Sequence, residues 1–153
     1  MKIVIGSDHA GFNYKSRLIE LAKSMGHTVL DIGTDSCQSV DYPDFGEKGA
    51  RAVACGEADI GILICGSGIG MDMVANKING IRSAVCWNEE TARLARDHNY
   101  ANILCLGARF LSLEECIKIT KIFINTPVSD EERHIRRVNK IMKVEERNQT
   151  CNG

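Results

Sequence analysis

Several classes of protein are excluded by what this sequence does not contain. No apolar stretch is long enough to span a bilayer, and Met1 leads into a β-rich run, so neither a membrane span nor a signal peptide is expected. Charge of one sign is absent too. Nineteen basic against twenty acidic side chains leave a net charge of −1, which gives no argument for nucleic acid or membrane partners. Seven cysteines occur without a single Cys-x-x-Cys. An odd count without short spacings reads as reduced thiols in a cytosolic protein rather than a disulfide framework. Internal repeats and low-complexity segments are also missing, and 153 residues suffice for one domain with its own core.

What is present centres on Gly61 to Gly70, Gly-Ile-Leu-Ile-Cys-Gly-Ser-Gly-Ile-Gly. Its first half is an apolar run of the kind buried on both faces of a parallel sheet. Its second half is a glycine turn (Gly66, Gly68, Gly70) that opens into a helical pattern from Met71. Such a turn lets backbone N–H groups approach an anion, and the following helix adds partial positive charge. The loop is not a dinucleotide fingerprint, because Met71 stands where the third glycine belongs, and no Gly-Lys-Ser/Thr marks a P-loop. A small anion or an enolate-like oxygen suits it better than a nucleotide. Cys65 and Ser67 lie inside this cradle. Cys65 is either a small core residue at a strand end or an acid–base or nucleophilic group.

Along the chain, strands are expected at Lys2–Gly6, Thr28–Ile32, Ile60–Cys65, Ser83–Cys86 and Ile103–Leu106. Helical spacing falls before Gly26, over Asp44–Cys55, from Met71 to near Gly80, over Glu89–Asp97 and over Leu111–Ile124 with Ser112 and Glu115 as a capping box. Thr34–Pro43 reads as a polar loop. A last helix is expected from Asp130 to about Arg147, started by Ser129-x-x-Glu132, with an apolar stripe of Ile135, Val138, Ile141 and Met142. The fold class that follows is α/β: a single Rossmann-like three-layer domain over residues 1–147. It has a five-stranded parallel sheet, helices on both faces and an extra C-terminal helix, with 148–153 a frayed tail. The extra helix needs something to cover its stripe, and a partner subunit is the natural cover.

Ligands in such sheets bind at the carboxyl ends of the strands, which gathers Asp8, His9, Cys65, Ser67 and Arg109. Asp8 could equally cap the first helix. His98 is expected just after the fourth helix, placed either for the helix dipole or as a proton carrier. Tyr42 either walls a pocket or sits in a solvated turn. Arg133 and Arg137, four apart with His134 between them, form either a phosphate clamp or a solvated face. Cys65, Cys86 and Cys105 each end a strand, leaving a zinc site with His98 as a further, weaker alternative.

The motifs Gly-Ser-Asp-His-Ala-Gly, Asp41-Tyr-Pro, Ile-Cys-Gly-Ser-Gly-Ile-Gly, Asp97-His-Asn and Glu132-Arg-His-x-x-Arg, in this order over residues 1 to 147, closely resemble the ribose-5-phosphate isomerase B family, which includes the galactose-6-phosphate isomerase subunits. The resemblance implies a metal-independent, cofactor-free aldose–ketose isomerase working through a cis-enediolate. By position it makes Cys65 the base between C2 and C1, with Ser67 moving a proton between O1 and O2. It has the amides of Gly66, Gly68, Ile69 and Gly70 hold the enediolate and His98 open the furanose ring. Asp8, Tyr42 and Asn99 would then line the sugar, and His9, Arg109, Arg133 and Arg137 would bind the phosphate. Relatives that lack the cysteine carry a glutamate where this chain has Met71, so Cys65 is the expected base. Asp72 is unusual for the family and has no evident reason to be there. A homodimer, or a dimer of dimers, with active sites shared between chains is expected. The last stage of the helix after strand four runs away from Cys65, so His98 must reach the site from another subunit. Ribose 5-phosphate is the favoured substrate. Allose or galactose 6-phosphate, a non-catalytic sugar-phosphate-binding module, and a subunit active only with a different chain are the alternatives.

Overall fold

In a computed structural model of the chain, the backbone is described for residues 1–150 and side chains for residues 1–147. Among the described residues five strands alternate with helices and a sixth helix follows the fifth: β1 Lys2–Ser7, α1 Phe12–Ser24, β2 Thr28–Asp31, α2 Tyr42–Ala54, β3 Ile60–Cys65, α3 Ile69–Ala75, β4 Ser83–Val85, α4 Glu89–Asn99, β5 Ile103–Gly107, α5 Leu113–Asn125 and α6 Glu132–Thr150. All pairings are parallel, in the order β2-β1-β3-β5-β4.

Strand periodicity divides the core in two. Ile3, Ile5, Ile62, Ile64, Leu104 and Leu106 face α1, α4 and α5. Val4, Leu63, Cys65, Ile103 and Cys105 face α2 and α3. β3 is buried along its whole length, as a central strand covered on both sides must be. The chain leaves β1 toward β2 on one side and reaches β3 on the other. The crevice at the carboxyl ends of β1 and β3 is therefore the point where ligands bind in such sheets. Among the described residues no helix is long and apolar enough to cross a membrane.

Several boundaries differ from expectation: α3 spans Ile69–Ala75 rather than Met71 to near Gly80, β4 stops at Val85 so that Cys86 follows the strand, and α5 starts at Leu113 rather than Leu111. Three others differ for a clear local reason. α2 begins at Tyr42 rather than Asp44, because Pro43 is at home in a first helical turn and extends the helix backward over it. α4 runs to Asn99, so His98 and Asn99 form its last turn; Tyr100 then ends it in the left-handed conformation. The capping box Ser129–Glu132 does not form. Ser129 Oγ instead accepts from Glu131 N at 3.1 Å, its own N–H donates to Asp97 O at 3.0 Å, and α6 starts at Glu132. The box expected at Ser112 is present. The stretch expected to fray lies, for side chains 148–150 and all of 151–153, outside the described residues.

α6 is tied back to the amino edge of the sheet by Glu145, whose two oxygens accept from Gly80 N at 3.1 and 3.0 Å. Of its apolar residues Val138 is buried, whereas Ile135, Ile141 and Val144 stay exposed.

Candidate active site

Three strand ends build one cleft of about 390 Å³. From β1 come Asp8, His9 and Ala10; from β3 Cys65, Gly66, Ser67 and Gly70; from β5 Arg109 and Phe110; and Tyr42 closes it from the start of α2.

Cys65 is 4% exposed and its Sγ accepts the Gly68 N–H at 3.1 Å. Gly68 adopts φ 79°, a left-handed conformation that turns its amide back onto the sulfur and that a side chain would resist. Ser67 Oγ accepts from Ile69 N at 3.2 Å, so the loop is braced by both of its polar side chains. Gly70 lies under the Tyr42 ring: a Cβ there would stand 2.6 Å from Cε2 and Cζ, so glycine is what lets the tyrosine seal the loop.

Asp8 serves two ends. Its Oδ1 accepts from Ala10 N at 2.9 Å and Gly11 N at 3.2 Å, holding the entry to α1, while the residue also lines the cleft. His9 Nδ1 accepts the Val40 N–H at 3.2 Å. That bond places the proton of a neutral imidazole on Nε2, leaving Nε2 a donor. The loop carrying Val40 is anchored by Lys15, 4% exposed, whose ammonium bonds both Asp31 oxygens (2.8 and 3.0 Å) and Thr34 O (2.8 Å). Lys15, Val40 and Phe110 were not identifiable as site residues from sequence. Only Lys15 left a signal, a charge on the same face of α1 as buried Leu18 and Ala22.

The other expected residues lie elsewhere in the chain. His98 and Asn99 end α4 just before Asn102, whose carbonyl accepts from Gly61 N at the amino end of β3. Cys65 lies four residues further along β3, about 13 Å away at roughly 3.3 Å per residue. His98 stacks on His134 of α6, ring centroids 4.1 Å apart, with Arg133 and Arg137 exposed on the same helix. The structure thus forms two clusters at opposite ends of the sheet: the cleft, and a basic patch carrying His98, Arg133 and Arg137.

The thiols do not converge on a metal. Cys65 and Cys105 face one side of the sheet and Cys86 the other, and among the described residues no group of three or more His, Cys, Asp or Glu is placed to hold an ion. Burial pushes the Cys86 thiol up to about 11 and that of Cys105 well above its ordinary value, so neither is a ready nucleophile. Asp72 turns away from the cleft toward Ser83 and Asn76; its charge acts on Cys86 and Cys105, and burial holds its carboxyl above the usual range.

A parallel α/β sheet with a thiol, a glycine loop and basic side chains at its switch point has the groups with which a small anion can be held and a proton moved. A model described as Ribose/Galactose Isomerase matches residues 3–141. Ribose-5-phosphate isomerase B of Escherichia coli is 40% identical over 146 residues, covering 95% of this chain and 97% of the relative. Among solved structures, ribose-5-phosphate isomerase B of Clostridium thermocellum superposes with a TM-score of 0.93 at 47% identity, over 97% of this chain and 99% of that one. The Mycoplasma genitalium enzyme, solved with bound ribulose-5-phosphate, gives 0.89 at 41% identity over 95% and 96%. The chain therefore belongs to the ribose-5-phosphate isomerase B family.

Proposed function

We propose that this protein interconverts ribose 5-phosphate and ribulose 5-phosphate, with Cys65 as the base and without a metal. The observation that carries this reading is the nearly buried Cys65 sulfur, paired with the Gly68 amide inside a cleft that also holds His9 and Arg109.

The chemistry follows from the groups present. Ring opening breaks the bond between C1 and the ring oxygen; the C1 hydroxyl loses a proton and the ring oxygen gains one, with His98 carrying the transfer. The Cys65 thiolate then takes the proton from C2, and the electron pair moves into the C1 carbonyl to give a cis-enediolate. Remaining amides of the glycine loop hold its oxygens. Ser67 passes the hydroxyl proton between O1 and O2, and Cys65 returns its proton to C1. Proton transfer by a positioned group contributes roughly 10²–10⁴-fold, and donors aimed at the oxyanion a comparable factor. Asp8, Tyr42 and Asn99 line the sugar; His9, through Nε2, and Arg109 bind the phosphate from one side and Arg133 and Arg137 from the other.

His98, Asn99, Arg133 and Arg137 reach the cleft only from a second copy of the chain. A two-fold homodimer supplies each cluster to the other's cleft twice. The exposed apolar rim, with Ile69 at 43%, Met73 at 62% and Phe110 at 71% exposure, is the kind of surface such a partner covers. The test is a substrate panel in the presence of a chelator: ribose 5-phosphate against allose and galactose 6-phosphates. Turnover of ribose 5-phosphate with the highest kcat/KM, undiminished by the chelator, is expected. Phosphosugar binding without turnover of any of them would overturn the reading in favour of a binding module.

A further inference from the structure

We propose that His134 is a positioning residue for His98, setting its ring plane and joining it to the α6 arginines as one rigid element. The proposal rests on the reading of His98 as the group that opens the sugar ring.

An imidazole that delivers a proton to one atom is ordinarily oriented by a hydrogen bond to its other ring nitrogen. Among the described residues no such bond reaches His98. The carboxylate beside it, Asp97 Oδ2, is 3.6 Å from Nε2, beyond hydrogen-bond reach, and that oxygen already accepts from Arg93 Nη1 at 2.9 Å. What holds the ring is a face: the His134 imidazole lies 4.1 Å away, centroid to centroid, at an interplanar angle of 11°. The His98 side chain is 37% exposed, whereas His134 is 3% exposed. The buried ring is the fixed one and the exposed ring the working one.

His134 is fixed before the rings meet. Its N–H donates to Glu131 O at 2.9 Å, Ser129 N donates to Asp97 O at 3.0 Å, and the Tyr100 phenol donates to the Ser129 carbonyl. These bonds stitch the start of α6 to the end of α4. The His134 Nε2 is buried without a hydrogen-bond partner, and Glu131 Oε2, 3.8 Å away, already accepts from Arg133 Nε at 2.7 Å. Burial first, then His98, Arg133 and Arg137, hold its imidazole below the usual histidine range. A neutral ring stacks on His98 whether or not His98 carries a proton. The charges around the pair are Glu90 and Asp97 on the His98 helix, Arg93 through Asp97, and Glu131, Arg133 and Arg137 on the His134 side. Because Arg133 and Arg137 share the helix with His134, the stack also sets the distance between the phosphate grip and the ring-opening atom.

The experiment compares His134→Leu, which removes the flat ring, with His134→Phe, which restores one, and His98→Ala as reference, all as full-length assembled protein. Three quantities are read: the ¹⁵N shifts of the His98 imidazole, kcat and KM on ribose 5-phosphate, and inhibition by inorganic phosphate. With Leu, the His98 shifts should change and kcat should fall roughly 10- to 100-fold, the scale of a misplaced catalytic group. Phosphate inhibition should stay within about twofold, since uniform binding is untouched. Phe should recover most of the kcat. Unchanged His98 shifts and kcat in folded Leu protein overturn the proposal, as does a Phe variant as slow as Leu. Should Leu not fold, His134→Gln, which cannot stack as a ring, takes its place against Phe. If His98→Ala turns over ribose 5-phosphate normally, the ring-opening reading fails, and the His98 shifts still decide whether His134 sets the ring.

Discussion

Gly107→Ala probes the cleft without touching any side chain in it. Gly107 ends β5 opposite Cys65, and a Cβ added there would stand 2.5 Å from the Ser67 carbonyl oxygen and 2.7 Å from its carbon. Both are backbone atoms, so no side chain can rotate away. Restoring ordinary contact near 3.4 Å requires the strand end and the glycine loop to part by about 0.9 Å. That displacement moves Ser67 and the amides beside it off the reacting carbons. A misplacement of about 1 Å costs on the order of 10²-fold in rate, or roughly 2.7 kcal/mol of barrier. Overpacking should also cost about 1–3 kcal/mol of stability. Steady-state kinetics on ribose 5-phosphate should show kcat down by about two orders of magnitude, with phosphate inhibition changed far less. Gly46→Ala, within α2, is the control: its Cβ meets the Val74 side chain at 3.3 Å and Met71 Cα only at an ordinary 3.7 Å. A Gly107→Ala enzyme with kcat within about threefold of the parent would refute the claim that loop position limits the reaction.

Cys65→Ala should abolish isomerisation while sugar-phosphate binding, measured by calorimetry, persists; near-normal turnover would remove the assigned base. Because Cys37 and Cys55 are exposed and Cys151 lies outside the described residues, alkylation should be followed in a background lacking all three, where loss of activity should track modification of Cys65. Arg137→Ala should raise KM and weaken inhibition by phosphate more than it lowers kcat, and unchanged phosphate inhibition would leave Arg137 a solvated charge. Asp72→Asn should raise the melting temperature at neutral pH. The folded carboxyl titrates above its ordinary value, so its ionisation costs stability as pH rises through that range. The gain should vanish at acid pH, where Asp72 is protonated in both states, and an equal gain at all pH values would point to another cause.

The sheet was legible in the sequence because each strand is a short apolar run closed by a turn residue, and each connection carries helical spacing. The cleft was legible because Asp8, Cys65 and Arg109 sit at or just past strand ends. Contacts that come from tertiary packing were not. Nothing in the sequence pairs Val40 with His9, or Lys15 with the carbonyl of Thr34, since these partners meet only when β2 is laid beside β1. His134 read as one more polar residue in a charged run, yet it is buried because Ser129 draws the start of α6 onto the end of α4. Local rules also set the ends of elements less firmly than their middles: Pro43 extended α2 backward, and α4 carried its helix through His98 and Asn99.

The proposed sharing of each site between two chains is tested most directly by mixing two inactive proteins. Cys65→Ala chains and His98→Ala chains, unfolded and refolded together in equal amounts, form mixed dimers in which one site lacks both residues and the other lacks neither. Random pairing makes half the dimers mixed, so about a quarter of all sites, and of the parent activity, should return. If Cys65 and His98 act within one chain, no mixed dimer has an intact site. Absence of activity after subunit exchange has been verified, for instance by mass spectrometry of the intact dimers, would contradict the account.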